Sequence, residues 1–159
     1  MLINWKSGFF SSKDEAYEGG EKIGEISSGM WSSKTHANLY DHAYTFKNKS
    51  SFGYETLIFD VESGEQIGFV KEHGWNGSAK LFIDSNEYLF KPANFWSTHF
   101  EVRASDGTDL IYKNSTTVGS LEPKGKQAAV LLMGKYLINK NRQTLIIIIS
   151  SMVIIMAAL

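Results

Sequence analysis

The chain has no cysteine in its 159 residues. That excludes a disulfide framework and any thiolate metal site, and it leaves no mark of an oxidising compartment. Histidine is scarce as well. His36 and His42, with Asp41, form the nearest approach to a metal-ligand cluster, but isolated histidines on strands are usually ordinary surface or core groups, so neither a metal nor a cofactor is expected. Catalytic signatures are missing too: no G-x-S-x-G, H-E-x-x-H, G-x-x-x-x-G-K-[ST] or G-x-G-x-x-G occurs, and the expectation is a non-enzymatic protein. The opening M-L-I-N-W-K-S-G-F-F has no basic stretch leading into an apolar core. It does not read as a secretory leader, so the body of the chain is expected in the cytoplasm. Sequons at Asn48, Asn76 and Asn114 therefore carry no weight.

Net charge is −1, and no nucleic-acid partner is expected. The charge is unevenly spread, however. Residues 1 to 62 hold nine acids against six lysines, whereas 113 to 142 hold Lys113, Lys124, Lys126, Lys135, Lys140 and Arg142 against Glu122 alone. This basic stretch runs straight into the apolar tail Gln143 to Leu159, Q-T-L-I-I-I-I-S-S-M-V-I-I-M-A-A-L. A basic segment beside an apolar helix is what the cytoplasmic flank of a membrane anchor looks like, and equally what a solvated barrel rim looks like.

The middle of the chain repeats. Ile23-Gly24-Glu25-Ile26, Ile67-Gly68-Phe69-Val70 and Val118-Gly119-Ser120-Leu121 correspond, and each is followed by further short apolar segments. In the third repeat these are Ala128 to Leu132 and Lys135 to Asn139, read here as strands. A glycine inside a strand marks a bulge, a bend or the close approach of another backbone, so three in equivalent places point to a recurring geometric need. Tyr40, His42, Tyr44 and Phe46 alternate with smaller residues, as do Tyr88 and Phe90, Phe100 and Val102, and Leu110 and Tyr112. That is the period of half-buried strands. Glu62-Ser63-Gly64, Asn76-Gly77, Asp84-Ser85-Asn86, Ser105-Asp106-Gly107 and Lys113-Asn114-Ser115 supply the turns.

The expected fold is mainly β: one domain over residues 1–159, a closed antiparallel barrel of about 12 strands enclosing a C-terminal hydrophobic α-helix at 143–159. A helix apolar on every face belongs in a protein centre or a bilayer. Leu145 to Leu159 is fifteen residues, short of the ~20 that ~30 Å of hydrocarbon requires, which favours the centre. The alternative is a tail-anchored membrane protein with a cytoplasmic β domain.

The I-G-x-I/V strands, the Phe100-Glu101-Val102 to Ser105-Asp106-Gly107 hairpin and the closing apolar helix together resemble the tubby C-terminal fold, whose relatives include phospholipid scramblases and plant LURP-one-related proteins. The resemblance covers roughly Gly20 to Leu159 and rests on the order of elements. It implies a barrel threaded by its last helix and a binding role at anionic phospholipid, with a membrane-associated location. None of that family's ligand-binding motifs has a residue-by-residue counterpart here. On charge alone, the candidate lipid-binding strip is Lys124, Lys126, Lys140 and Arg142, with a protein partner as the other class of ligand. His73, Trp75 and Asn76 at one hairpin and Phe95 and Trp96 at another are aromatic-bearing rim residues, read mainly as plugs of the barrel end.

Overall fold

A computed structural model describes residues 1–7, 12–29, 33–49, 54–73, 77–94, 98–123 and 125–157. Twelve strands follow one another: β1 (Leu2–Ser7), β2 (Lys13–Glu18), β3 (Glu21–Ser28), β4 (Lys34–Leu39), β5 (His42–Asn48), β6 (Glu55–Asp60), β7 (Gln66–His73), β8 (Ser78–Ile83), β9 (Asn86–Pro92), β10 (His99–Ala104), β11 (Asp109–Lys113) and β12 (Thr116–Gly119). Each pairs antiparallel with its neighbours in sequence. β1 closes the barrel on β12 through Leu2 opposite Val118 and Asn4 opposite Thr116. Closure leaves no free edge strand among the described residues.

Inward residues alternate with outward ones along the strands, as the period of a pleated strand requires, with an interruption in β7, where Ile67 and Val70 are buried. Ile3, Trp5, Leu39, Tyr44, Phe46, Ile58, Leu81, Phe90, Val102 and Leu110 are among the side chains buried in the lumen. The repeated glycines occupy crowded points: a Cβ on Gly24, Gly68 or Gly119 would run into the carbonyl oxygen of Asn38, Phe82 or Asp109 on the adjacent strand. The register shifts between Ala16 and Tyr17, opposite Gly24, and between Ile58 and Phe59, opposite Gly68. Two of the three glycines thus sit beside β-bulges on their own strands, with Ile23 and Ile67 as the extra residues, where a barrel wall turns sharply.

Two corrections concern what fills the lumen. Residues 128 to 132 and 135 to 139 are not strands but belong to α1 (Lys126–Ala157), a helix of 32 residues. A short apolar run reads alike as buried strand or buried helix, and A-A-V-L-L-M-G-K-Y-L-I has no polar face to distinguish them. Nor is the enclosed segment 143–159. Ala128 to Met133 are wholly buried and Tyr136, Leu137 and Ile138 nearly so, whereas Ile146, Ile147 and Met156 are 64%, 65% and 77% exposed. The lumen is as long as its strands, and about fifteen residues of helix at ~1.5 Å each already fill that height. The described residues after 142 project beyond the barrel. Ala158 and Leu159 lie outside the described residues.

Inside, the wall holds the helix by its backbone. The Tyr44 hydroxyl donates to the Gly125 carbonyl at 2.6 Å, and the Tyr112 hydroxyl to the Leu131 carbonyl at 2.9 Å. Gly134 makes the second contact feasible, since a Cβ there would collide with the Tyr112 hydroxyl.

Candidate functional site

The barrel has two unlike ends. At the end where α1 enters, the turns joining β2 to β3, β4 to β5, β6 to β7, β8 to β9 and β10 to β11 carry Glu18, Glu21, Asp41, Glu62, Glu65, Asp84 and Asp106. At the end where α1 leaves, outward-facing Lys34 and Lys47 are opposite each other on β4 and β5, Lys71 lies on β7, Lys91 on β9 and Lys113 on β11. Among the described residues Lys47, Lys71, Lys91 and Lys113 form no ion pair, although Lys71 sits 5.5 Å from the centre of the Phe69 ring. The lysines therefore make a basic collar around the emerging helix.

This geometry divides the expected basic strip. Lys126 begins the helix at the acidic end and pairs with Asp84 at 2.6 Å. Lys140 lies at the opposite rim, paired with Glu72, with Arg142 exposed beyond it. Fourteen residues of helix, ~21 Å, separate Lys126 from Lys140, so they cannot serve one headgroup. Lys124 lies outside the described residues, as do Trp75, Asn76, Phe95 and Trp96. His73 is exposed at the exit end of β7. His36 and His42 also stay apart. His36 faces outward toward Thr45, whereas the His42 Nε2 accepts the Gly125 N–H at 2.8 Å and helps set the helix entry. Among the described residues no group of three His, Cys, Asp or Glu side chains could hold a metal ion.

Where α1 leaves, the lumen turns polar. Lys135 and Asp14, both nearly inaccessible, pair at 3.3 Å, with the Lys135 ammonium 5.4 Å from the centre of the Trp5 ring. Asp14 also accepts from Ser7 and Asn139. Burial lowers the Lys135 pKa, opposed by the Asp14 carboxylate and reinforced by Arg142. This ion pair ties the helix to β2 near the exit, and removing either partner would leave a buried charge uncompensated. One turn away, the Asn48 Oδ1 accepts from the Tyr136 hydroxyl and the Thr56 hydroxyl, each at 3.0 Å.

Beside these groups a crevice of about 500 Å³ opens between the helix and the rim of β2 to β5. Its floor holds Ser12, Ser28, Thr35, Asn48, Tyr136 and Asn139; Lys140 and Gln143 lie at its mouth, and Ile146 and Ile147 form its outer wall. Sequence reasoning did not find this site. The available signal was Asp14, Thr35 and Thr56 in inward strand positions, and only the register shows that all three lie toward one end. A second cup, of about 640 Å³, lies at the acidic end between Met1, Tyr40, Asp41 and Pro123.

Beyond the rim the helix presents apolar side chains to solvent. Ile146, Ile147, Ile149, Met152, Val153 and Met156 are exposed, and the Ser151 hydroxyl is turned back to the Ile147 carbonyl at 2.8 Å. Among the described residues no helix is long and apolar enough to cross a membrane. The chain matches no protein-family model, no curated protein and no solved structure.

Proposed function

We propose that this protein is a non-enzymatic membrane-surface module. Its barrel rests on an anionic lipid face by the lysine collar, and the outer half of α1 enters the bilayer. One observation carries the reading: six large apolar side chains between Ile146 and Met156 stand in solvent on a helix whose other half is the barrel's core. Exposed apolar surface on that scale is costly in water and marks an interaction site. Residues 143–157 extend ~22 Å, past the midplane of ~30 Å of hydrocarbon without crossing it.

Two further features support the same reading. The collar surrounds the helix at the height where phosphate groups would lie, and each lysine near an anionic surface contributes about 1 kcal/mol. The stretches joining β1 to β2, β3 to β4, β5 to β6, β7 to β8 and β9 to β10 leave and return at this same end. In sequence they contain Phe9, Phe10, Trp31, Phe52, Trp75, Phe95 and Trp96. Their placement lies outside the described residues, but Tyr54 beside them is exposed, and aromatic residues are the usual population of a membrane interface. The order of elements, strands closing on a central helix, is also the order that the tubby resemblance implies.

Vesicle flotation tests the proposal. The full chain is expected to float with phosphatidylcholine vesicles and more strongly when phosphatidylserine is included, with the increment lost at high salt. A chain that stays at the bottom of the gradient with both compositions would defeat it.

A further inference from the structure

The crevice at the helix exit has a composition unlike that of the collar around it. Its floor is hydroxyl and amide: Ser28 and Thr35 share one hydrogen bond at 2.8 Å, Asn48 and Asn139 present side-chain amides, and Gln143 closes the mouth. The cation there, Lys140, is already matched by Glu72. A phosphate in this space would meet no uncompensated positive charge, so the desolvation of an anion would go unrepaid. Hydroxylated, uncharged groups fit better. Each hydroxyl both donates and accepts, and so does each side-chain amide.

Open valences remain for such a guest. Asn48 uses its carbonyl oxygen twice, on Thr56 and Tyr136, which leaves its two N–H groups without a partner among the described residues. Asn139 donates to Asp14 and retains its carbonyl oxygen. The Ser28–Thr35 pair has one hydroxyl hydrogen left over, since two hydroxyls share a single bond. The outer wall, Ile146 and Ile147, is continuous with the apolar helix surface beyond it. A guest with a polar head and a hydrocarbon chain matches both parts at once.

We infer that this crevice is a binding site for a single membrane lipid with an uncharged sugar or polyol headgroup, the headgroup held on Ser28, Asn48 and Asn139 and a chain lying along Ile146 and Ile147. The inference rests on the membrane reading above and adds a selectivity that the collar alone does not provide. The collar attracts any anionic surface. The crevice picks out one neutral lipid within it.

The test compares flotation of the full chain with three vesicle types: phosphatidylcholine alone, phosphatidylcholine with monogalactosyl diacylglycerol, and phosphatidylcholine with phosphatidylserine. The galactolipid is expected to tighten binding about tenfold over phosphatidylcholine, the scale of one or two neutral hydrogen bonds. Ser28→Ala, on the barrel rim and outside the bilayer-entering segment, is expected to keep the phosphatidylcholine value and the melting transition while losing that gain. Absence of a galactolipid gain, or an equal gain in Ser28→Ala, overturns the site and leaves the membrane reading standing. A gain confined to phosphatidylserine does the same. Should the chain bind no vesicle at all, the membrane reading falls and the crevice is read separately, by titrating octyl galactoside below its micelle concentration against free galactose. Saturable binding of the alkyl glycoside, lost in Ser28→Ala, upholds the site. No binding, or equal binding of free galactose, overturns it.

Discussion

Both halves of α1 are rich in apolar residues, the outer half the more so, and their environments are opposite. From Ala128 to Ile138 almost every side chain is enclosed, and from Ile146 to Met156 the large ones are exposed. Hydrophobicity therefore does not decide which half is core. Small residues and polar handles do. Ala128, Ala129 and Gly134 let the wall approach the helix closely, and Lys135, Tyr136 and Asn139 find partners in Asp14 and Asn48. The outer half has Ser150 and Ser151 instead, with the Ser151 hydroxyl bonded back to its own helix at Ile147, and its Ile-rich faces have no wall to meet.

Replacing a buried polar handle breaks the comparison most severely. Lys135→Met strands Asp14 without its cation and is expected to cost about 3–5 kcal/mol in denaturant unfolding, whereas adding Asp14→Asn should recover most of that. Lys140→Met, at the rim, should cost about 1 kcal/mol or less. Next come the apolar side chains. Leu131→Ala should cost about 2–5 kcal/mol by the cavity it leaves, while Ile147→Ala should stay within about 0.5 kcal/mol and weaken vesicle binding instead. Unfolding and flotation on the same pair of variants make the contrast direct.

Alkaline pH sharpens it further. Burial raises the Tyr44 hydroxyl from its ordinary 10.0 to about 12, and burial alone pushes Tyr112 up as well. These are the groups that hold the Gly125 and Leu131 carbonyls. Their folded pKa values exceed the unfolded ones, so the associated stability is complete below pH 10 and is lost as pH rises toward about 12. Lys135 acts in the opposite sense: its lowered value makes stability rise with pH below 10.5. The tyrosines outnumber it, and a net fall in melting temperature above pH 10 is expected, smaller in Tyr44→Phe. That variant should itself cost about 1 kcal/mol at neutral pH. The mildest contrast is at the surface. Lys71→Glu with Lys113→Glu should weaken binding to phosphatidylserine vesicles by about 1 kcal/mol per site, and Lys126→Glu, at the far end, should leave it unchanged.

Much of this architecture was legible in the residues. Alternation at Tyr44 and Phe46, Tyr88 and Phe90, and Leu110 and Tyr112 marked strands correctly, and the glycines at 24, 68 and 119 marked crowded strand crossings. Closure on an axial helix followed from strand number and an apolar segment. The choice of segment did not follow, because Ala128 to Ile138 lacks any periodicity and the Ile-rich run after Gln143 draws attention by sheer hydrophobicity. Physically, what counts is whether a wall can reach the helix backbone, and that depends on Tyr112 and Gly134 meeting across 22 positions of chain. The crevice was hidden for a related reason. Ser28, Thr35 and Asn48 are ordinary strand residues until the register gathers them at one rim.

Deleting residues 145–159 and following both thermal unfolding and vesicle flotation tests the central claim most directly. The account predicts a monomeric barrel with its cooperative transition intact that no longer floats. A truncated chain that aggregates without a transition, or one that floats as well as the full chain, would contradict the division of α1 into a core half and a membrane half.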